Sequence, residues 1–111
     1  MIVDRNNIQI DGFTQDIMPL EPLDKKLEAF GLFVLEVDGH SFEDIASAYE
    51  KTKTVHDRAS VIILRTIPGK GVDFMENDYN WHGRAPGIGE TVQALIEIRK
   101  VRTLDGRVDN D

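Results

Sequence analysis

Cysteine is absent from this chain, which excludes a disulfide scaffold, a zinc–thiolate site, an iron–sulfur cluster and a cysteine nucleophile. Basic residues are outnumbered, 13 against 20 acidic, for a formal charge of −7. Nucleic acid and anionic membranes require clustered Lys and Arg, so neither is expected as the main partner. No apolar run approaches the roughly 18 residues that a spanning helix needs. The opening residues, Met1-Ile2-Val3-Asp4-Arg5, lack the charged start and long apolar stretch of a secretion signal, and a reducing, cytoplasmic setting is the expectation. With 111 residues there is room for one small domain and a modest core. Hydrophobic content of 41% against 30% charged is the balance of a globular chain, not a disordered one.

Strand-like and helix-like segments alternate. Met1-Ile2-Val3 reads as the end of a buried strand running into a loop at Asp4-Arg5-Asn6-Asn7. Nothing precedes that strand, so the chain is expected to begin inside a domain. Asp16 to Leu23 reads as a loop, with Pro22 suited to a helix's first turn; Leu23, Leu27 and Phe30 share a face, and Gly31 suits a helix end. Leu32 to Val37 is a nearly continuous apolar run, expected to be a strand covered on both faces. Ser41-Phe42-Glu43-Asp44 opens a helix, with Phe42, Ile45, Ala46 and Tyr49 as its apolar stripe. Ala59 to Thr66 is a central strand, and Gln93 to Arg102 a helix with Val92, Leu95 and Ile96 inward. Strand–helix–strand order predicts an α/β fold, a parallel sheet with right-handed crossovers flanked by helices. Pro68 to Gly89 is a long loop holding five of the nine glycines, and Thr103 to Asp111 is polar and expected to fray.

Ligands of open parallel sheets bind beyond the carboxyl ends of the strands. Asn6-Asn7, Asp38-Gly39-His40 and the loop after Thr66 occupy such ends. An Asn amide and a nearby carbonyl suit part of the oxygen shell of Mg²⁺, although Asn also simply tolerates turns. Pro68-Gly69-Lys70-Gly71 reads as a phosphate-approach loop or a plain turn, and lacks the spacing of a Walker loop. Trp81-His82-Gly83 presents a histidine able to donate to phosphate or move a proton; the bland alternative is a His satisfied by backbone beside a Trp that anchors the loop. His40 reads as a turn residue and His56 as surface. No zincin, α/β-hydrolase or glycosidase arrangement occurs.

Taken in order, Ile2-Val3-Asp4-Arg5-Asn6-Asn7-Ile8-Gln9-Ile10-Asp11-Gly12 resembles the end of the thiamine-diphosphate motif of transketolases. The likeness continues through Pro19-Leu20-Glu21-Pro22-Leu23, Glu36-Val37-Asp38-Gly39-His40, Thr66-Ile67-Pro68-Gly69-Lys70-Gly71-Val72 and Trp81-His82-Gly83-Arg84-Ala85-Pro86. The wording is similar to the N-terminal subunit of the two-chain transketolases.

The resemblance implies a partial thiamine-diphosphate-binding fold, with residues 1–102 as the C-terminal half of that domain and 103–111 as a polar tail. Thiamine diphosphate and Mg²⁺ are the implied cofactors, with Ca²⁺ or Mn²⁺ as substitutes. Asn6 matches the side-chain metal ligand and Ile8 the residue whose carbonyl binds the metal. His82 matches the loop histidine near the diphosphate and the transferring sugar, a cofactor-binding and catalytic position. The family motif opens with a Gly-Asp-Gly triplet that this chain does not contain, so a fragment inactive alone is expected. The implied whole transfers a two-carbon ketol unit between sugar phosphates, as a homo- or hetero-oligomer whose pyrimidine-binding C-terminal subunit supplies the activating glutamate. Two alternatives stand beside it: another thiamine-diphosphate enzyme, such as deoxyxylulose-phosphate synthase or a dehydrogenase first component, and a non-catalytic interaction module.

Overall fold

The computed structural model describes residues 1–104, and the side chains of residues 1–100. Most of the expected polar tail, residues 105–111, lies outside the described residues. The chain divides into two compact units: one of residues 1–7 and 13–66, the other of 8–12 and 67 onward. Among the described residues no helix is long and apolar enough to cross a membrane.

The first unit is built on a parallel sheet in the order β1 (Ile2–Arg5), β5 (Ser60–Arg65), β4 (Phe33–Asp38). Every pairing is parallel, Ile2 opposite Ile62 and Phe33 opposite Ser60, as the alternation of segments predicts. β5 is central because its β-branched run can be buried on both faces: Val61, Ile62 and Ile63 are all buried in the core. β4 was expected to be covered on both faces as well. None of its residues is fully buried, and it stands at an edge of the described sheet. β1 also departs from expectation, because it continues to a buried Arg5 while Ile2 is 61% exposed.

Helix α1 (Thr14–Ile17) begins before the segment read as loop and takes up its first two residues, Asp16 and Ile17, and α2 (Leu23–Ala29) follows Pro22 directly. Gly31 takes the left-handed conformation (φ 80°) that ends α2. α3 (Phe42–Thr52) is capped by Ser41, whose hydroxyl accepts from the Asp44 N–H at 3.1 Å. Its inward face is not the expected one. Ala48 is buried and Ile45 and Thr52 half-buried, whereas Phe42 is 77% and Tyr49 55% exposed. Both stripes are apolar enough to pass as a core face, and the small Ala48 allows the helix to approach β4 and β5.

The second unit contains β2 (Ile8–Gln9), the loop from Ile67, a 3-10 turn at Tyr79–Trp81, and α4 (Ile88–Leu104). β2 pairs with the short β3 (Gly12–Phe13) in a two-stranded ribbon. α4 starts five residues earlier than the pattern predicts, and among its residues with described side chains Ala94 is the buried one. Val92, Leu95 and Ile96, expected inward, are each about half exposed. Apolar residues are spread around this helix, so periodicity could not single out a face.

Candidate functional site

The three parallel strands end at Arg5, Asp38 and Arg65, so their carboxyl ends share one edge of the sheet. Close packing there is enforced by Gly39, whose N–H donates to the Arg65 carbonyl at 2.8 Å. A methyl at Gly39 would overlap the Thr66 methyl and stand 3.0 Å from Leu64 Cβ. The Thr66 hydroxyl donates to the Asp4 carboxylate, joining the ends of β1 and β5.

Asn6 emerges from this edge immediately after Arg5 and is half-buried. Arg5 is 4% exposed, a burial that a cation tolerates only when partnered. Its Nε donates to Glu21 Oε1 at 3.1 Å and its other end to the Thr14 hydroxyl at 3.0 Å. Glu21 Oε1 also accepts from Arg65 at 2.9 Å, and Arg65 grips both oxygens of Glu36 at 2.8 and 2.9 Å. The Arg65 guanidinium, then the Leu23 N–H, hold the Glu21 carboxyl down from 4.5 to about 2. Asn7 takes a left-handed backbone (φ 66°), which Asn accepts more readily than most residues. Its carbonyl receives the Thr14 N–H at 2.9 Å and hydroxyl at 3.3 Å. The Asn6-Asn7 corner is therefore held from both sides.

Ile8 and His82 belong to the second unit, so the structure does not gather Asn6, Ile8 and His82 within one unit. Ile8 opens β2. His82 is exposed and follows the 3-10 turn, which Asp78 caps by accepting from the Asn80 N–H at 2.9 Å. Its own N–H donates to the Tyr79 carbonyl at 2.9 Å. Trp81 donates from Nε1 to the Phe74 carbonyl at 3.1 Å and meets the Phe74 ring edge-on, centroids 5.4 Å apart.

The glycine loop resolves in favour of a turn. The N–H groups of Lys70, Gly71 and Val72 go to Ile67 O, the Glu76 carboxylate and Gly69 O. Those donors are consumed by the chain itself and are not turned toward an anion.

Asn6 and Ile8 would offer a divalent ion two neutral oxygens, one an amide and one a carbonyl. Mg²⁺ takes six in near-octahedral geometry, with carboxylate among the usual donors. Among the described residues no three His, Asp or Glu side chains gather to hold a metal. The described residues thus do not fit a complete Mg²⁺ site. Residue reading also missed Glu21 and Arg65, because their pairing spans 44 positions.

The family model described as "Transketolase, thiamine diphosphate binding domain" matches residues 1–100. The 6-deoxy-6-sulfo-D-fructose transketolase subunit SqwG of a Clostridium strain is 48% identical over 97 residues, 87% of this chain and 35% of that protein. An apulose-4-phosphate transketolase subunit of Actinobacillus succinogenes is 36% identical over 89% of this chain and 36% of its own length. The crystal structure of Campylobacter jejuni transketolase superposes with a TM-score of 0.77 at 31% identity, over 88% of this chain and 15% of that one. The chain thus spans about a third of the length of the curated subunits it matches. With a family model covering all but its last residues, this chain belongs to the transketolase family, within the thiamine diphosphate binding domain.

Proposed function

We propose that this chain is part of a ketol transferase, residues 1–102 forming the C-terminal half of its cofactor-binding domain. The observation that carries this reading is the Asn6-Asn7 corner, held at the carboxyl edge of a parallel sheet by Arg5, Glu21 and Thr14. Asn6 would offer a divalent ion its amide oxygen and Ile8 its carbonyl, and the remaining donors, a carboxylate among them, would have to come from outside the described residues. His82 donates to the diphosphate or to an oxyanion on the transferring sugar, and its place on an exposed loop suits a proton carrier. Thiamine diphosphate, when bound, supplies the carbanion chemistry by which a two-carbon unit passes between sugar phosphates.

A pyrimidine-binding subunit completes the enzyme in this reading, in line with relatives that are named as subunits. A second reading, a non-catalytic interaction module, draws on the exposed apolar residues of α4, among them Ile88 at 90% and Val92 at 54% exposure. Calorimetric titration with thiamine diphosphate and Mg²⁺ separates the two. Weak binding that falls at least about tenfold in Asn6→Ala supports the cofactor role, since metal-site changes typically cost that much. Binding by the unaltered chain that is unchanged in Asn6→Ala overturns the role of Asn6, and no detectable binding favours the module or an inert fragment.

A further inference from the structure

Resting on that reading of His82, we propose that Arg84 and Glu90 are positioning residues for this histidine, folding the loop on both sides of it into one clip. The Arg84 guanidinium lies over the Trp81 ring, 4.1 Å from its centroid. Trp81 and Arg84 directly flank His82-Gly83, so their stacking closes the short segment that carries the imidazole. Arg84 is in turn paired with Glu90 Oε1. The other oxygen of Glu90 accepts the Gly87 N–H at 2.7 Å. Glu90 stands at the third position of α4, where a carboxylate reaching back to the residue before the helix caps its first turn. The Thr91 hydroxyl adds a bond to the Gly87 carbonyl at 2.9 Å.

One carboxylate thus links the start of α4 to Arg84, Arg84 to Trp81, and Trp81 to the Phe74 carbonyl. Residues 83–87 form no regular structure, so without the clip His82 would ride on a loop free to sample many positions. A histidine that serves a phosphate or a sugar oxyanion must be held in place before they arrive.

Trp81 is the sole tryptophan and His82 one of three histidines, so the chain carries its own reporters. The test compares the full chain with Glu90→Gln, Arg84→Met and Arg84→Lys by tryptophan emission and by the ring ¹H–¹³C resonances of the histidines, at fixed pH and without cofactor. The expected result is a red-shifted, more quenchable Trp81 and displaced His82 signals in Glu90→Gln and Arg84→Met. The His40 and His56 signals and the melting temperature stay as in the unaltered chain, and Arg84→Lys recovers part of the effect. Unmoved His82 signals in both charge-removing variants overturn the proposal, whatever Trp81 does. Because no ligand is present, a failed cofactor titration and a failed clip are separate outcomes.

Discussion

Arg5 and Arg65 are register partners on neighbouring parallel strands, and a single oxygen, Oε1 of Glu21, stands 3.1 Å from the first and 2.9 Å from the second. Two like charges side by side at the ends of paired strands would push those ends apart. Glu21 turns the repulsion into a joint, and Asn6 begins where that joint ends.

Glu21→Gln removes the shared charge. The side chain of Glu21 is 38% exposed, so solvent screening limits the loss at neutral pH to about 1 kcal/mol, read as a lower urea midpoint. The pH dependence has a defined sign. The Glu21 carboxyl is depressed from 4.5 to about 2, so its contribution is full above 4.5 and drains away as pH falls toward about 2. The variant lacks this part of the acid limb. Equal acid sensitivity in both proteins would refute the assignment.

Ile63→Ala empties a fully buried position at the centre of β5 and is expected to cost about 2–5 kcal/mol. Ile2→Ala, at 61% exposure on β1, should stay within about 0.5 kcal/mol. Denaturant unfolding of both variants checks the contrast.

Gly39→Ala forces a methyl against the side chains of Thr66 and Leu64 at the strand ends. Overpacking of this kind costs about 1–3 kcal/mol. Calorimetric melting should show the drop, whereas a substitution without effect would mean that the edge of the sheet has room to spare.

The Gly87 N–H, and after it Arg84, keep the Glu90 carboxyl below its usual range. Acidification should therefore leave Trp81 emission unchanged through the ordinary glutamate range and alter it only below. A transition centred at the ordinary value would show that Glu90 makes neither contact in solution.

Periodicity was a sound guide wherever one residue type decided the outcome. The Ser41 cap, the left-handed Gly31 and the buried run of β5 are each local choices, and each is found. It misled where the outcome depended on partners far along the chain. α3 has two plausible apolar stripes, and the choice between them is made by how closely Ala48 lets the helix approach the sheet. Arg5 looked like loop because a buried cation needs Glu21 and Thr14, neither of which is adjacent to it. Asn6 and His82 stood out through their resemblance to a family motif. The Glu90 clip had a legible half, the Gly-x-x-Glu spacing at the start of α4, and a hidden half in the stacking of Arg84 on Trp81.

Of the three parallel strands described, β5 alone has a neighbour on each side. Its amides around Val61–Ile63 should thus be the slowest in the first unit to exchange with deuterium, since they open only when the sheet as a whole does. Asn6 leaves the sheet from an outer strand that leans on this one ladder, so under the proposed role of Asn6 any cofactor affinity should rise and fall with the protection of β5.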